Sequence, residues 1–294
     1  MTPKFEKSPD LVHTVRSVDA AGAALHVESL EDPSIPVDEQ RTILLLSEAE
    51  APSSRWSAAL LTGLARIYGR CAWFDTRDVG GSTWVAEPFG MTDLVDDVVA
   101  VIDALEASAV DLFGRSMGGE VAMRVAIARP DLVRSLVLLS STPGRREELG
   151  FPQGWLIDKM SERLLGSPPA DAEAQAVWLV EQWEWFNGPV FDFDRDLALA
   201  MAREEVAAGW RGSNGHGVAV MEADDIVDEL RQLSVPTTIL HGTADPVLPV
   251  DHARALHALI EGSQLSLIEG LGHELPDGFV AKLLELVAQS YARS

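Results

Sequence analysis

The sequence predicts a doubly wound α/β fold: a mostly parallel sheet covered on both faces by helices, with one helical insertion. Three observations carry this. Uninterrupted apolar runs of strand length recur, as in Thr42-Ile43-Leu44-Leu45-Leu46, and a strand apolar on both faces belongs in a sheet covered on both sides. Between these runs lie segments with apolar residues at helical spacing, the alternation that builds βαβ units. The alternation stops after Ser141 and resumes near Val235-Pro236, which marks the insertion.

After a polar leader, His13–Val18 and Ala23–Val27 read as a strand pair joined through Asp19-Ala20-Ala21-Gly22, so the sheet opens antiparallel. Six core strands follow at Thr42–Leu46, Cys71–Phe74, Val110–Phe113, Leu136–Leu139, Thr238–Leu240 and Leu265–Ile268. Helices are expected over Ser54–Ile67, Thr92–Leu105, Met117–Ala128 ahead of Pro130, His252–Ile260 and Gly278–Tyr291. The second is the clearest: Leu94, Val98, Val101, Ile102 and Leu105 form one apolar stripe, with Thr92 as N-cap and Asp93 near the positive helix end. The expected division is a core of residues 1–142 and 233–294 and a cap subdomain of residues 143–232. That cap holds Trp155, Trp178, Trp183, Trp185 and Trp210, five of the eight tryptophans.

Composition removes several classes of function. Among 294 residues, 47% are apolar and 23% charged, the balance of a chain that buries a core. With 46 acidic against 23 basic residues the formal charge is -23, which repels phosphate backbones and anionic lipid, so neither nucleic acid nor membrane is an expected partner. Cys71 is the single cysteine and cannot close an internal disulfide, and the charged start Met1-Thr2-Pro3-Lys4-Phe5-Glu6 lacks an apolar stretch; a cytoplasmic protein is expected. No apolar run is long enough to span a bilayer. Neither a metal nor a dinucleotide is expected, since no ligand cluster has metal spacing and G-x-G-x-x-G after a strand is absent.

The chemistry concentrates at Val110-Asp111-Leu112-Phe113-Gly114-Arg115-Ser116-Met117-Gly118-Gly119, a strand running through G-x-S-x-G into a helix. Glycines two before and two after the serine permit a strained turn that presents Ser116 Oγ at the carboxyl edge of the sheet, where a nucleophile belongs. A serine hydroxyl needs a base to take its proton and a carboxylate to orient that base. Asp245 lies just beyond the strand ending at His241, and His273 follows the next strand through Glu269-Gly270-Leu271-Gly272. Ser116, Asp245 and His273 are the expected catalytic residues, in an order that α/β-hydrolases use. The other histidines are worse placed: His13 and His26 in the opening strands, His241 at a strand end, His252 and His257 on a surface-type helix.

With these motifs the chain resembles the α/β-hydrolase superfamily over nearly its full length. Asp75-Thr76-Arg77-Asp78-Val79-Gly80-Gly81-Ser82 resembles its D-x-R-x-x-G-x-S loop, and Gly272-His273-Glu274-Leu275-Pro276 its G-H-x-x-P loop. More narrowly, Trp73–Ser82, Gly114–Gly119 and Gly270–Pro276 are similar to the aclacinomycin methylesterase-like group. The resemblance implies an eight-stranded sheet with a cap after the sixth strand, a cofactor-free serine esterase mechanism and bulky polyketide-type esters. The chain departs from the family pattern after the third strand, where Ser47-Glu48-Ala49 replaces a His-Gly or Gly pair. The expected oxyanion donors are the amides of Met117 and Ala49. Glu48 beside that site would oppose an oxyanion unless turned away or paired with a cation.

The expected substrate contacts are Glu48, Arg115, Trp178, Trp183, Trp185 and His216. Aromatics and carboxylates interleave over Leu179–Phe186, which suits either a cap whose aromatics form its own core and whose acids form its wet face, or a large apolar ligand bearing an ammonium group, such as an aminosugar. The expected function is a serine carboxylic-ester hydrolase acting on a macrolide lactone, which would inactivate an antibiotic, or on a polyketide methyl ester. The same three residues also serve a carbon–carbon bond hydrolase or perhydrolase, and the fold could host a non-hydrolytic ligand-binding protein.

Overall fold

The computed structural model describes residues 8, 10–144, 146, 148–211 and 215–293. The chain opens with β1 (Val12–Ala20) and β2 (Ala23–Glu31), paired antiparallel from Val12↔Glu31 to Ala20↔Ala23, so the connection is the two residues Ala21 and Gly22 rather than four. Gly22 takes φ 83°, the left-handed conformation that a tight hairpin asks of a glycine. Next come β3 (Arg41–Leu46), α1 (Ala58–Tyr68), β4 (Gly69–Phe74), α2 (Met91–Ala104), β5 (Val110–Arg115), α3 (Met117–Ala128) and β6 (Val133–Leu139). Four inserted helices and a short turn follow, α4 (Gly154–Leu165), α5 (Ala172–Phe186), α6 (Arg195–Ala207), α7 (His216–Met221) and α8 (Val227–Leu230). The chain closes with β7 (Thr237–Gly242), α9 (Asp251–Leu259), β8 (Gln264–Ile268) and α10 (Asp277–Tyr291).

The eight strands form one sheet in the order β1-β2-β4-β3-β5-β6-β7-β8, parallel from β4 to β8 and antiparallel at the β1 and β2 edge. Alternate residues of each core strand feed opposite layers. Leu44, Ala72, Leu112, Leu136 and Ile239 pack under α2, α3 and α9. Ile43, Cys71, Phe113, Val137 and Leu240 pack under α1 and α10. This double burial explains why the core strands read as continuous apolar runs. The chain order reverses between β3 and β5, which are neighbours although β4 lies between them in sequence, and such a switch leaves a crevice at the carboxyl ends of the strands.

The apolar stripe of α2 is buried as expected, with Leu94, Val98, Val101, Ile102 and Leu105 all at most 2% exposed. Its N-cap is Gly90 rather than Thr92: the Asp93 carboxylate turns back and accepts from the Gly90 amide at 2.8 Å, which moves the cap two residues earlier. A buried Arg77–Asp97 pair, at 2.6 and 2.8 Å, fixes the loop after β4 to α2. Cys71 is buried in its strand, where burial pushes the thiol well above its ordinary range. Among the described residues, no helix is long and apolar enough to cross a membrane, and no cluster of His, Cys, Asp and Glu could hold a metal ion.

Candidate active site

The site begins at the junction of β5 and α3. Ser116 takes φ 51° and ψ -120°, a conformation side chains rarely adopt, and its amide donates to the Leu139 carbonyl of β6 at 3.0 Å. The flanking glycines make this turn sterically possible. A Cβ at Gly114 would lie 2.4 Å from the Gly118 carbonyl oxygen, and one at Gly118 would lie 2.2 Å from that of Leu46. The end of β3 therefore passes in contact with the first turn of α3, whose amides have no intrahelical partner.

The loops after β7 and β8 bring the other two groups. His273 Nε2 lies 3.1 Å from Ser116 Oγ, and His273 Nδ1 lies 2.7 Å from Asp245 Oδ2. The second Asp245 oxygen accepts from the amides of Val247 at 2.9 Å and Leu248 at 2.8 Å. A carboxylate that only accepts requires a proton on Nδ1, which leaves Nε2 as the acceptor facing the serine hydroxyl. Burial works to raise the Asp245 carboxyl, but the charge and hydrogen bond of His273, helped by His241 and the Leu248 amide, hold it below the usual carboxylate range. Asp245 and His273 are buried while Ser116 is partly exposed, the accessibility an attacking hydroxyl needs.

A ring of four charges braces His273 from behind. The Arg115 guanidinium donates to the His273 carbonyl oxygen at 2.9 Å and lies 2.9 Å from Glu48 and 3.5 Å from Glu274. Arg55 lies 3.1 Å from the same Glu48 oxygen and donates to Glu274 at 2.9 Å. Burial works to raise the Glu274 carboxyl, and Arg55 and Arg115 outweigh it and hold it low. Glu48, which follows β3 where glycine was expected from the family pattern, is thus paired with two cations and largely neutralised beside the elbow. Arg55 and Glu274 were not anticipated from the sequence: Arg55 carries no motif, and Glu274 was noticed only as the neighbour of His273.

The inserted helices reach this ring directly. The Phe186 carbonyl at the end of α5 accepts from the amides of His273 at 2.8 Å and Glu274 at 3.0 Å, and the Phe186 ring lies edge-on to the His273 ring at 6.1 Å. Of the three tryptophans expected to meet substrate, each meets one of the chain's own cations. Arg55 lies over Trp183 at 4.2 Å, Arg163 over Trp178 at 3.4 Å, and Lys159 over Trp185 at 4.9 Å. Glu48 and Arg115 likewise engage each other. Trp183 also lines a cavity of about 960 Å³ between α1, α6 and the histidine loop.

His216, expected to contact substrate, is instead fully buried at the start of α7, out of reach of a ligand. Its Nδ1 accepts from the Glu50 amide at 2.9 Å and its Nε2 donates to the Arg77 carbonyl at 2.9 Å, stitching α7 to the loops after β3 and β4. Burial, opposed by the Arg77 carbonyl and Asp78, pushes its pKa down to about 4, so it is neutral. His252, expected on a helix surface, is also buried, bonded to Thr142 Oγ1 at 2.8 Å and to the Gly150 carbonyl at 2.9 Å.

A strained serine elbow at the switch point, facing a histidine that faces a buried aspartate, defines an enzyme of the serine-hydrolase type. Residues 51–277 match the family model for the alpha/beta hydrolase fold, and the chain belongs to that family. It is 25% identical to the rhodomycin D methylesterase DauP of a Streptomyces species, over 89% of this chain and 92% of that protein, a distant relationship that does not fix the subgroup. It is 29% identical to a 2-hydroxymuconate semialdehyde hydrolase of a Pseudomonas species, over 68% of each chain. An esterase from Exiguobacterium antarcticum superposes with a TM-score of 0.77 at 22% identity, covering 96% of this chain and all of that one, which speaks to the fold alone.

Proposed function

We propose that the chain is a serine hydrolase that cleaves carboxylic esters through an acyl-enzyme, with Ser116 as nucleophile, His273 as general base and Asp245 as the group that orients the imidazole. The hydrogen-bonded line from Asp245 through His273 to Ser116, at 2.7 and 3.1 Å, carries the reading. Ser116 Oγ attacks the ester carbonyl carbon as its proton passes to His273 Nε2. Collapse of the tetrahedral intermediate breaks the carbon–oxygen bond, and the alcohol departs with that proton. Water then attacks the acyl-enzyme by the reverse sequence, releasing the acid and restoring Ser116. The oxyanion donors in this scheme are the amides of Met117, at the start of α3, and of Ala49, three residues beyond the end of β3, whose last carbonyl oxygen packs against Gly118. Residues 143–232 serve as a cap, a role supported by the Phe186 carbonyl bonds to the histidine loop.

Distant identity to a rhodomycin D methylesterase favours a natural-product methyl ester. The macrolide lactone has no support beyond the general chemistry, and the tryptophans that were to recognise an aminosugar are covered by Arg55, Arg163 and Lys159. The 29% identity to a semialdehyde hydrolase favours a second reading, in which the same three residues cleave a carbon–carbon bond. One experiment addresses both readings: wild type and Ser116→Ala are treated with a fluorophosphonate, then with aryl esters, an anthracycline methyl ester, a macrolide and a ring-fission dienoate, and products are weighed by mass spectrometry. The expected outcome is covalent labelling of Ser116 and loss of all ester turnover in the variant. Ester turnover that survives Ser116→Ala would overturn the mechanism, and dienoate turnover without ester turnover would install the second reading.

A further inference from the structure

Between α6 and the loops after β3 and β4 lies a separate cavity of about 260 Å³ whose lining includes five carboxylates, Glu28, Glu50, Asp75, Glu204 and Glu205, with Trp84 and Trp210 as indole walls. Two of the five are held by the protein itself. Glu28 is bonded by His13 at 2.6 Å and His26 at 3.2 Å, and Asp75 accepts from the amides of Ser53 at 2.6 Å and Gly81 at 2.8 Å. Glu204 is exposed, and Glu50 is exposed by area although burial in the cavity wall raises its carboxyl above the ordinary value. Glu205 differs from all of these: it is 8% exposed, lines the cavity, and its Oε2 has no hydrogen-bond partner among the described residues. The cation that acts on it, Arg55, is already shared by Glu48 and Glu274. The exposed Arg211 rests on the ring of Trp84 at 4.6 Å.

A buried carboxylate with an open oxygen is costly unless a cation or donor meets it. A metal ion would need several converging oxygen ligands, and no such cluster exists among the described residues. Indole faces attract diffuse organic cations, which carry apolar surface as well as charge. We propose that this cavity is a binding subsite for an organic ammonium group, with Glu205 as its charge partner and Trp84 and Trp210 as its walls, the ligand displacing the exposed Arg211 from the Trp84 ring. The Glu205 pKa is pushed up to about 7, chiefly by burial, which Arg55 opposes and Glu48, Glu50 and Asp75 reinforce. Binding of a cation therefore drives off a proton near neutrality, and affinity weakens as pH falls through that value, His26 gaining charge on the same wall. The subsite stands whether or not Ser116 proves to be the nucleophile, because occupancy is read without any ester.

The test is a titration of the purified full chain with choline at constant ionic strength, followed by calorimetry and tryptophan fluorescence, against the neutral alcohol in which a carbon replaces the nitrogen. Glu205→Gln and Trp84→Leu are titrated alongside, each with a melting curve to confirm the fold. The expected result is saturable one-site binding of choline, at least tenfold weaker in Glu205→Gln, weaker in Trp84→Leu, and at least tenfold weaker for the neutral alcohol. Equal binding of choline and the alcohol, undiminished binding by folded Glu205→Gln, or no saturable binding by wild type would each overturn the proposal.

Discussion

Two charged clusters share Arg55, and they solve burial in opposite ways. Behind His273, Glu48 and Glu274 alternate with Arg115 and Arg55, so each carboxylate meets two guanidinium groups. On the other side of Arg55, Glu205 is buried with an oxygen unmatched and with Glu48, Glu50 and Asp75 adding to its burden. The balanced ring fixes geometry, because removing any member leaves a buried charge exposed to its own desolvation cost. The unbalanced cavity keeps its charge available, at the expense of stability. A protein that places both within reach of one arginine separates the charges that position from the charge that can receive.

Three changes break or sharpen this contrast, in decreasing order of effect. Asp245→Asn severs the line that the balanced ring supports: it strands His273 in the wrong tautomer, and kcat for an aryl ester is expected to fall by about 10,000-fold with the melting temperature nearly kept. Arg115→Met opens the ring itself, leaving Glu48 and Glu274 short of a partner and the His273 carbonyl without its donor. Urea titration is expected to show a loss of about 3–5 kcal/mol, with kcat falling more than KM rises. A variant as stable as wild type would mean that the ring braces nothing.

Glu205→Gln probes the other cluster and carries the opposite sign. The folded pKa of about 7 lies above the ordinary value of 4.5, so the folded state prefers the protonated carboxyl. Stability is full below 4.5, declines as pH rises from there to about 7, and is level beyond. Replacing the carboxyl by an amide is therefore expected to stabilise the protein by about 3 kcal/mol at pH 8 and by almost nothing at pH 4. Chemical denaturation at the two pH values measures the difference, and a stabilisation independent of pH would assign it to packing instead of charge.

The order of strands and helices was legible in the sequence because each core strand is buried on both faces, which writes Thr42–Leu46 or Leu136–Leu139 as plain apolar runs. Ser116 was legible for a local reason, since the glycines at 114 and 118 answer collisions with backbone a few residues away and at the adjacent strand end. Asp245 and His273 could be named from their places after successive strands. The substrate contacts were not legible in the same way. Trp183 and Arg55 are 128 positions apart in the chain, and His216 lies 139 from the Arg77 carbonyl it bonds. Nothing in the spacing along α5 announces that a ring face is taken by an arginine from the other side of the cavity.

What the sequence by itself determined is therefore the set of features whose cause is local: burial pattern, turn sterics, and the placement of Ser116, Asp245 and His273 at strand ends. Tertiary structure alone decided which charges meet. It turned Glu48 from an apparent threat to an oxyanion into one corner of a neutral ring, buried His216 as a neutral bridge, and left one Glu205 oxygen without a hydrogen-bond partner among the described residues. The physical reason is that desolvation and Coulomb attraction depend on distance and burial in space, and neither is recorded in separation along the chain.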